Sequence, residues 1–196
     1  MTRKKIFKYI IGTFVLLYLS LDIYIYYKYN DSDTAKVLTW TTRIYSSIPA
    51  DSIPDNIINA YGKVFSNSLT NKIYPDAIWW FLIAQRQRQT YVQLDLAYDI
   101  GHCNTVKLIS IANQLDNRLT QKQCVFAYLS RFDFLNNARG IKKAAKLHYN
   151  KNIQDLNERE CLELVIMTKN PSLFDKYRNQ DKLDVEVNKV TGANTR

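Results

Sequence analysis

Two helix starts of the same kind constrain the fold of this chain more than any other feature. Thr120 is followed three residues later by Gln123, and Asn157 by Glu160. In this arrangement, a capping box, the side chain of the cap accepts a hydrogen bond from the amide of the third residue, whose own side chain accepts one from the amide of the cap. Each pair therefore predicts a helix with a defined first residue. The second helix is predicted to end before Pro171, because proline cannot continue it.

A short amphipathic segment lies between these two helix starts. Its apolar positions recur at helical spacing and are Ile141, Ala144, Ala145 and His148. Its lysines fall on the opposite side and are Lys142, Lys143 and Lys146. This pattern predicts a helix that packs through small residues and leaves a basic face free.

Composition favours an ordered, mainly helical chain. Glycine (5) and proline (4) are scarce among the 196 residues, and tyrosine (14) is abundant. The 27 basic and 18 acidic residues give a net charge of +9. This excess suits a polyanion, an anionic membrane or a phosphate-bearing substrate, and does not choose among them. The three cysteines, Cys103, Cys124 and Cys161, lack metal-site spacing, so we expect small core residues and neither a metal site nor a cofactor.

Residues 1–29 are predicted to form a cytoplasmic tail and a transmembrane helix. A basic start is followed by an apolar run from Tyr9 to Leu21, which continues to Tyr27 and is interrupted by Asp22. A bilayer core requires about 20 mostly apolar residues, and tyrosines at the end of such a run are typical of the membrane interface. Two alternatives are a cleaved signal peptide, although no small-residue cleavage site follows the apolar run, and a buried amino-terminal helix.

The rest of the chain divides into three predicted parts. Residues 30–52 are predicted to be a polar stalk with a short helix around Val37–Tyr45. Residues 53–180 are predicted to form one helical domain, and residues 181–196 a polar tail that is loose at its end. Within the domain, further helices are predicted to start at Pro54 and Tyr74 and to span Asn104–Leu115.

Five groups of residues between Thr120 and Phe174 form an ordered pattern. They are Tyr128–Arg131, Phe134, Gly140–Lys151, Asp155–Glu160 and Lys169–Ser172. Their order and spacing resemble, without a gap, the carboxy-terminal half of the glycosyltransferase family 51 domain. That domain is the peptidoglycan glycosyltransferase module of penicillin-binding proteins and monofunctional transglycosylases. The resemblance implies an all-α, lysozyme-like helical domain.

The resemblance also implies a reaction, from which this sequence departs. Family 51 enzymes extend glycan strands from a lipid-linked disaccharide pyrophosphate, and a glutamate acts as the general base. The two glutamate positions of the family correspond here to Phe65 and Phe126. All four glutamates of the chain lie at residue 158 or later, so we expect an inactive homologue. An aspartate could substitute for the base, and the candidates are Asp76, Asp95 and Asp99.

A basic surface remains as the candidate binding site. The resemblance and the charge pattern together suggest a remnant groove made of Gln93, Arg131, Arg139, Lys142, Lys143 and Lys146. Arg131 matches the family's arginine after Tyr-Leu-Asn. The alternative is a solvated helix face beside a negatively charged leaflet.

We therefore expect a membrane-anchored, non-catalytic homologue that binds peptidoglycan, lipid-linked precursor or a cell-wall synthesis protein, and no nucleic acid. Its expected location is the inner, cytoplasmic membrane, with the amino terminus in the cytoplasm and the domain on the periplasmic side. One alternative is an active, divergent glycosyltransferase with a relocated base. Another is a membrane-anchored helical adaptor for which the resemblance reflects only helix packing.

Overall fold

Helices account for nearly all the regular structure of the described residues. The computed structural model describes residues 3–29, 32–66, 68–69, 92–101 and 105–192, and within these ranges it contains nine α-helices and no strand. The α-helices are α1 Arg3–Tyr29, α2 Ser32–Ser46, α3 Asp55–Val64, α4 Val92–Gly101, α5 Thr105–Arg118, α6 Gln121–Arg131, α7 Ile141–Tyr149, α8 Glu158–Met167 and α9 Gln180–Thr191. Two 3₁₀ helices span Ala50–Ser52 and Ile153–Asp155. The predicted all-α class is confirmed for these residues.

Helix α8 lies at the centre of the domain. Every residue from Cys161 to Met167 is buried, and α3, α7 and α9 all contact this helix. A helix that is apolar on all sides requires neighbours all round it. Helix α6 forms the second central element, since it contacts α2, α3, α4, α5 and α7 and buries Cys124, Val125, Ala127 and Leu129.

Both predicted capping boxes are present. At the start of α6 the amide of Gln123 donates to Thr120 Oγ1 (3.3 Å), and the amide of Thr120 donates to Gln123 Oε1 (2.9 Å). At the start of α8 the amide of Glu160 donates to Asn157 Oδ1 (2.9 Å), and the amide of Asn157 donates to Glu160 Oε2 (2.8 Å). Helix α8 ends at Met167, before the predicted stop signal.

The turn between α6 and α7 brings the ends of these two helices together. The amide of Gly140 donates to the carbonyl of Phe132 (2.8 Å), and the amide of Phe134 donates to the carbonyl of Ala138 (3.0 Å). Gly140 has φ +91°, and a Cβ atom there would lie 2.6 Å from the carbonyl oxygen of Ser130. Only glycine fits this position, because both the backbone angle and the space exclude a side chain.

Helix α7 has the two predicted faces. Ile141, Ala144 and Ala145 are buried, and His148 is half-buried. The lysines of the helix, Lys142, Lys143 and Lys146, are exposed. The small residues allow α7 to approach both α6 and α8.

The residues predicted as a stalk differ from that prediction. Helix α2 covers Ser32–Ser46, contacts α4, α5 and α6, and buries Leu38, Thr41 and Thr42. The buried positions follow helical spacing, i, i+3 and i+4, but two of the three are threonines. The short helix predicted around Val37–Tyr45 is present but longer, and the polar composition gave no sign that it packs against the domain.

The carboxy-terminal residues also differ from the predicted polar tail. Helix α9 covers Gln180–Thr191, packs against α8 and buries Leu183 and Val187. The ammonium group of Lys169 pairs with the carboxylate of Glu186 at 2.9 Å. Two apolar residues one turn apart are enough to hold the helix, and most of its other side chains are polar.

The amino-terminal helix α1 is 27 residues long and contacts α5. Many of its apolar side chains are exposed, including Phe14 (69%) and Leu16 (67%). In the described part of the chain, no helix combines the length and the apolar character needed to cross a membrane. The predicted transmembrane span is therefore not confirmed.

The buried cysteines agree with the expectation of small core residues. Cys124 and Cys161 are free thiols in the core. Burial raises the pKa of Cys124 to about 12 and that of Cys161 to about 11. Cys103, Asp76 and the helix predicted to start at Tyr74 lie outside the described residues.

Replacing Gly140 with alanine should destabilise the domain by at least about 2 kcal/mol, because the change combines an unfavourable φ with an overlap on a backbone carbonyl. Gly192→Ala is the control, since Gly192 also has positive φ (69°) but has open space around its Cα. This control should cost about 1 kcal/mol at most. Urea unfolding followed by circular dichroism measures both changes. Equal losses would contradict the close approach at Gly140.

Candidate functional site

Phe126 occupies the position that the resemblance assigns to the second family glutamate. It lies on α6 and is only 8% exposed. The ammonium group of Lys142, from α7, lies 5.9 Å from the centre of its ring. A phenyl ring offers no lone pair to a proton, so this position cannot supply a general base or acid.

Phe65 occupies the position assigned to the first family glutamate, and its surroundings repeat this arrangement. It is the carboxy-terminal cap of α3, is 6% exposed, and lies with its ring centre 5.9 Å from the ammonium group of Lys169. Each phenylalanine thus faces a lysine near the outer distance limit for a cation–π contact, about 6 Å. Lys169 is also paired with Glu186, whereas no ion pair of Lys142 is found among the described residues.

Aromatic rings connect the surroundings of Phe65 to the turn after α6. The ring centres are 4.7 Å apart for Phe65 and Tyr61, 6.3 Å for Tyr61 and Tyr128, 5.6 Å for Tyr128 and Phe132, and 5.1 Å for Phe132 and Phe134. These spacings are those of tilted and edge-to-face pairs. We call these five residues the aromatic row. It fills the space between α3 and α6 with side chains that carry no charge.

The aspartates of α4 lie close to the aromatic row. Asp99 forms an ion pair with Arg131, in which both side chains are about a quarter exposed. Asp95 lies one helical turn earlier. Burial raises the pKa values of Tyr61 and Tyr128 well above the ordinary range, and the charge of Asp95 raises them further. Of the two described candidate aspartates, Asp95 acts on both tyrosines, whereas Asp99 is paired with Arg131.

Three of the predicted binding residues have polar partners within the domain. Arg131 pairs with Asp99, and Arg139 Nε donates to the carbonyl of Arg131 at 3.2 Å. Gln93 is fully buried and donates through Nε2 to Asp116 Oδ1 at 2.6 Å. Gln93 and Arg131 make polar contacts among α4, α5 and α6, whereas Arg139 is exposed in the turn after α6. The structure does not place Gln93 on the exposed lysine face of α7.

The structure does bring two of the predicted lysines together. A cavity of about 290 Å³ is lined by Lys142, Lys146, Lys151, Asn152, Ile153 and Gln154. We call it the basic cavity. Lys143 does not line it. The last four residues come from the segment that follows α7 and folds back beside that helix, and helix periodicity gives no signal for this placement.

The sequence analysis also missed a polar cluster around Glu163. This carboxylate is 5% exposed and accepts hydrogen bonds from Tyr149 Oη (2.7 Å), Arg159 Nε (3.0 Å) and Lys176 Nζ (2.8 Å). Lys176 Nζ also lies 3.9 Å from the centre of the Tyr149 ring. The sequence signal is a single acid inside the apolar run of α8, since a buried charge requires partners.

Comparison with known proteins identifies the class to which this arrangement belongs. The family model described as Transglycosylase, the glycosyltransferase family 51 domain, matches residues 90–194. This is more than half of the chain, which therefore belongs to that family, and the all-helical fold is consistent with its lysozyme-like domain. The hypothesis that the resemblance reflects only helix packing is wrong. The matched range includes Phe126 but not Phe65, and the assignment of both to glutamate positions rests on the sequence resemblance.

Similar proteins come from two strains of Clostridium botulinum, of types A and F. In each strain the relative is Penicillin-binding protein 1A, which is 25% identical to this chain over 92 residues. The aligned region covers 47% of this chain and 11% of the relative. The chain thus corresponds to a small part of these relatives, and it is a peptidoglycan glycosyltransferase-like protein.

His148 should make the stability of the domain depend on pH between about 5 and 7. Both ring nitrogens are buried without a hydrogen-bond partner among the described residues. Burial, followed by the charge of Lys176, lowers the pKa of His148 below its ordinary value, and Asp175 and Glu163 only partly oppose this. As the pH falls below about 6.5, His148 binds a proton more readily in the unfolded chain than in the folded chain. The free energy of unfolding therefore decreases as pH falls.

Urea unfolding at a series of pH values measures this effect. The His148→Phe variant should lose most of the slope between about pH 5 and 7, because the other groups with lowered pKa values, Glu160, Asp175 and Glu186, act only below about pH 4.5. An unchanged slope in the variant would contradict the assignment.

Proposed function

We propose that this protein is a non-catalytic homologue of the peptidoglycan glycosyltransferases, which acts in the cell envelope by binding. The observation that carries this proposal is Phe126, a buried phenylalanine at a family glutamate position and within the region that the family model matches. Peptidoglycan glycan, its lipid-linked precursor and a cell-wall synthesis protein are the proposed binding partners.

The residues around Phe65 and Phe126 support the proposal that these two positions no longer carry a catalytic carboxylate. Lys142 and Lys169 lie over the two phenylalanine rings, and the aromatic row fills the region beside Phe65. Restoring a base would bury a carboxylate at either position, and burial of a charge is costly unless the nearby lysine moves to pair with it. In addition, all four glutamates of the chain lie in α8 or α9.

The second candidate is an active enzyme with a relocated base. Asp95 favours it, because its carboxylate lies beside the buried tyrosines. Aspartate is one methylene shorter than glutamate, and a displacement of about 1 Å can reduce a rate on the order of a hundredfold. We therefore propose this activity only as the alternative.

A polymerisation assay separates the two candidates. The full chain, supplied with lipid-linked disaccharide pyrophosphate, should form no glycan polymer on a gel on which an active penicillin-binding protein forms one. Polymer that is abolished by Asp95→Asn, and retained in Asp155→Asn at an exposed site, would overturn the proposal. Polymer that survives both changes would overturn it as well, because some other group would then act as base.

We also propose that α1 attaches the protein to the membrane. Its exposed apolar side chains form a surface that water solvates poorly, and the similarity to Penicillin-binding protein 1A favours a membrane-associated envelope protein. Following the sequence analysis, we place the domain on the outer side of the cytoplasmic membrane.

Flotation with lipid vesicles tests this attachment. The full chain should float with the vesicles, and replacing Leu16 and Leu17 with asparagine should reduce the bound fraction, because two apolar contacts become polar. Leu173→Asn is the control, since Leu173 is an exposed apolar residue outside α1. Equal binding by all three proteins would contradict the role of α1.

A further inference from the structure

The basic cavity combines charge, neutral hydrogen-bonding groups and a defined shape. Lys142 and Lys146 come from the exposed face of α7, one helical turn apart. Lys151, Asn152 and Gln154 come from the segment after the helix. The backbone between them is held by the buried side chain of Ile153, which lies in the core. The residues that line the basic cavity therefore come from two well-packed elements, α7 and the segment that follows it.

The three lysines of the basic cavity are not equivalent. Lys151 Nζ lies 2.8 and 3.0 Å from the two carboxylate oxygens of Glu160, so its charge is balanced. Lys142 contacts the Phe126 ring, and Lys146 Nζ donates to the carbonyl of Asn150 at 3.4 Å. Among the residues described by the structure, no carboxylate forms an ion pair with either of these two lysines.

Two like charges one turn apart on a helix repel each other. An anion between Lys142 and Lys146 would remove this repulsion and replace it with charge-assisted hydrogen bonds. Of the common anionic groups, phosphate presents the most acceptor oxygens to donors that approach from several sides. The amide of Gln154, on the rim of the cavity, adds a neutral donor.

We propose that the basic cavity binds a phosphate group, with Lys142 and Lys146 supplying the charge and Lys151, fixed by Glu160, shaping the wall. The group is either a free phosphate or diphosphate, or the phosphate of an anionic lipid headgroup. This inference goes beyond the proposed function, because a free phosphate and an anionic lipid headgroup are not among the binding partners proposed above. Since Lys142 also contacts Phe126, an anion here would compete with that contact.

Titration calorimetry on the full chain tests the site with inorganic phosphate and with pyrophosphate. Lys142→Ala and Lys146→Ala should each weaken binding about tenfold or more. Lys143→Ala is the matched control, because Lys143 is an exposed lysine of the same helix outside the cavity, and it should change the affinity less than about twofold. Replacing Lys142 or Lys146 with arginine should restore most of the binding. Circular dichroism checks that each variant is folded.

A second measurement identifies the source of the phosphate. Vesicles of phosphatidylcholine alone, and with added phosphatidylglycerol, are compared for binding of the same variants. If the ligand is a headgroup, the two alanine variants should lose only the extra binding to phosphatidylglycerol, and soluble phosphates should bind weakly. If the ligand is a free phosphate, the two alanine variants should bind it more weakly than the unchanged protein in calorimetry. All of these proteins should then bind equally to the vesicles.

Two results would overturn the proposal. Equal losses in all three alanine variants would show general electrostatic attraction to a basic helix. Failure of phosphate, pyrophosphate and phosphatidylglycerol to distinguish Lys142→Ala and Lys146→Ala from the unchanged protein would show that the cavity holds no such group. Neither result depends on the polymerisation assay, so this inference and the proposed function can fail separately.

Discussion

The enclosure of helix α8 is the constraint on which the rest of the structure depends. Seven consecutive residues, Cys161 to Met167, have no solvent-facing side, so α3, α7 and α9 must all pack against this one helix. Close packing requires small residues where the helices meet, and Ala144 and Ala145 on α7 provide them. Glu163 is the exception inside the helix, and its three donors allow a carboxylate to remain there. The geometry of both candidate sites follows from this packing, because Lys142, Lys169 and Glu160 are fixed by α7, α8 and the residues that flank them.

The resemblance assigns Phe65 and Phe126 to positions at which the family has glutamates. Each ring is buried and has a lysine ammonium group 5.9 Å from its centre. A phenyl ring cannot accept a proton, and it stabilises the fold by removing apolar area from water. Under the proposed function, the chain keeps the helical framework of its family and uses these two positions for stability. Stability and activity often oppose each other at such positions, because catalytic groups are poorly satisfied in the absence of substrate.

Local signals in the sequence predicted much of the fold. The helix starts at Thr120 and Asn157 were predictable because each capping box involves residues only three positions apart, and the faces of α7 followed from its periodicity. The signals were weak for α2 and α9, where a few buried residues lie among many polar ones. Long-range pairs left no trace in the sequence. The pairing of Arg131 with Asp99, and the return of Lys151 beside α7, depend on where distant segments meet, so only part of the candidate site could be predicted.

The two buried cysteines make it possible to measure how often the folded state opens. Cys124 and Cys161 are enclosed by other side chains, and their raised pKa values keep almost all of each thiol protonated at neutral pH. The thiolate is the form that reacts with oxidants and alkylating reagents. Neither sulfur can therefore react at an appreciable rate while the helices remain closed around it. The rate at which these two thiols are alkylated would therefore report how often the core opens to solvent, and no label has to be engineered into the protein.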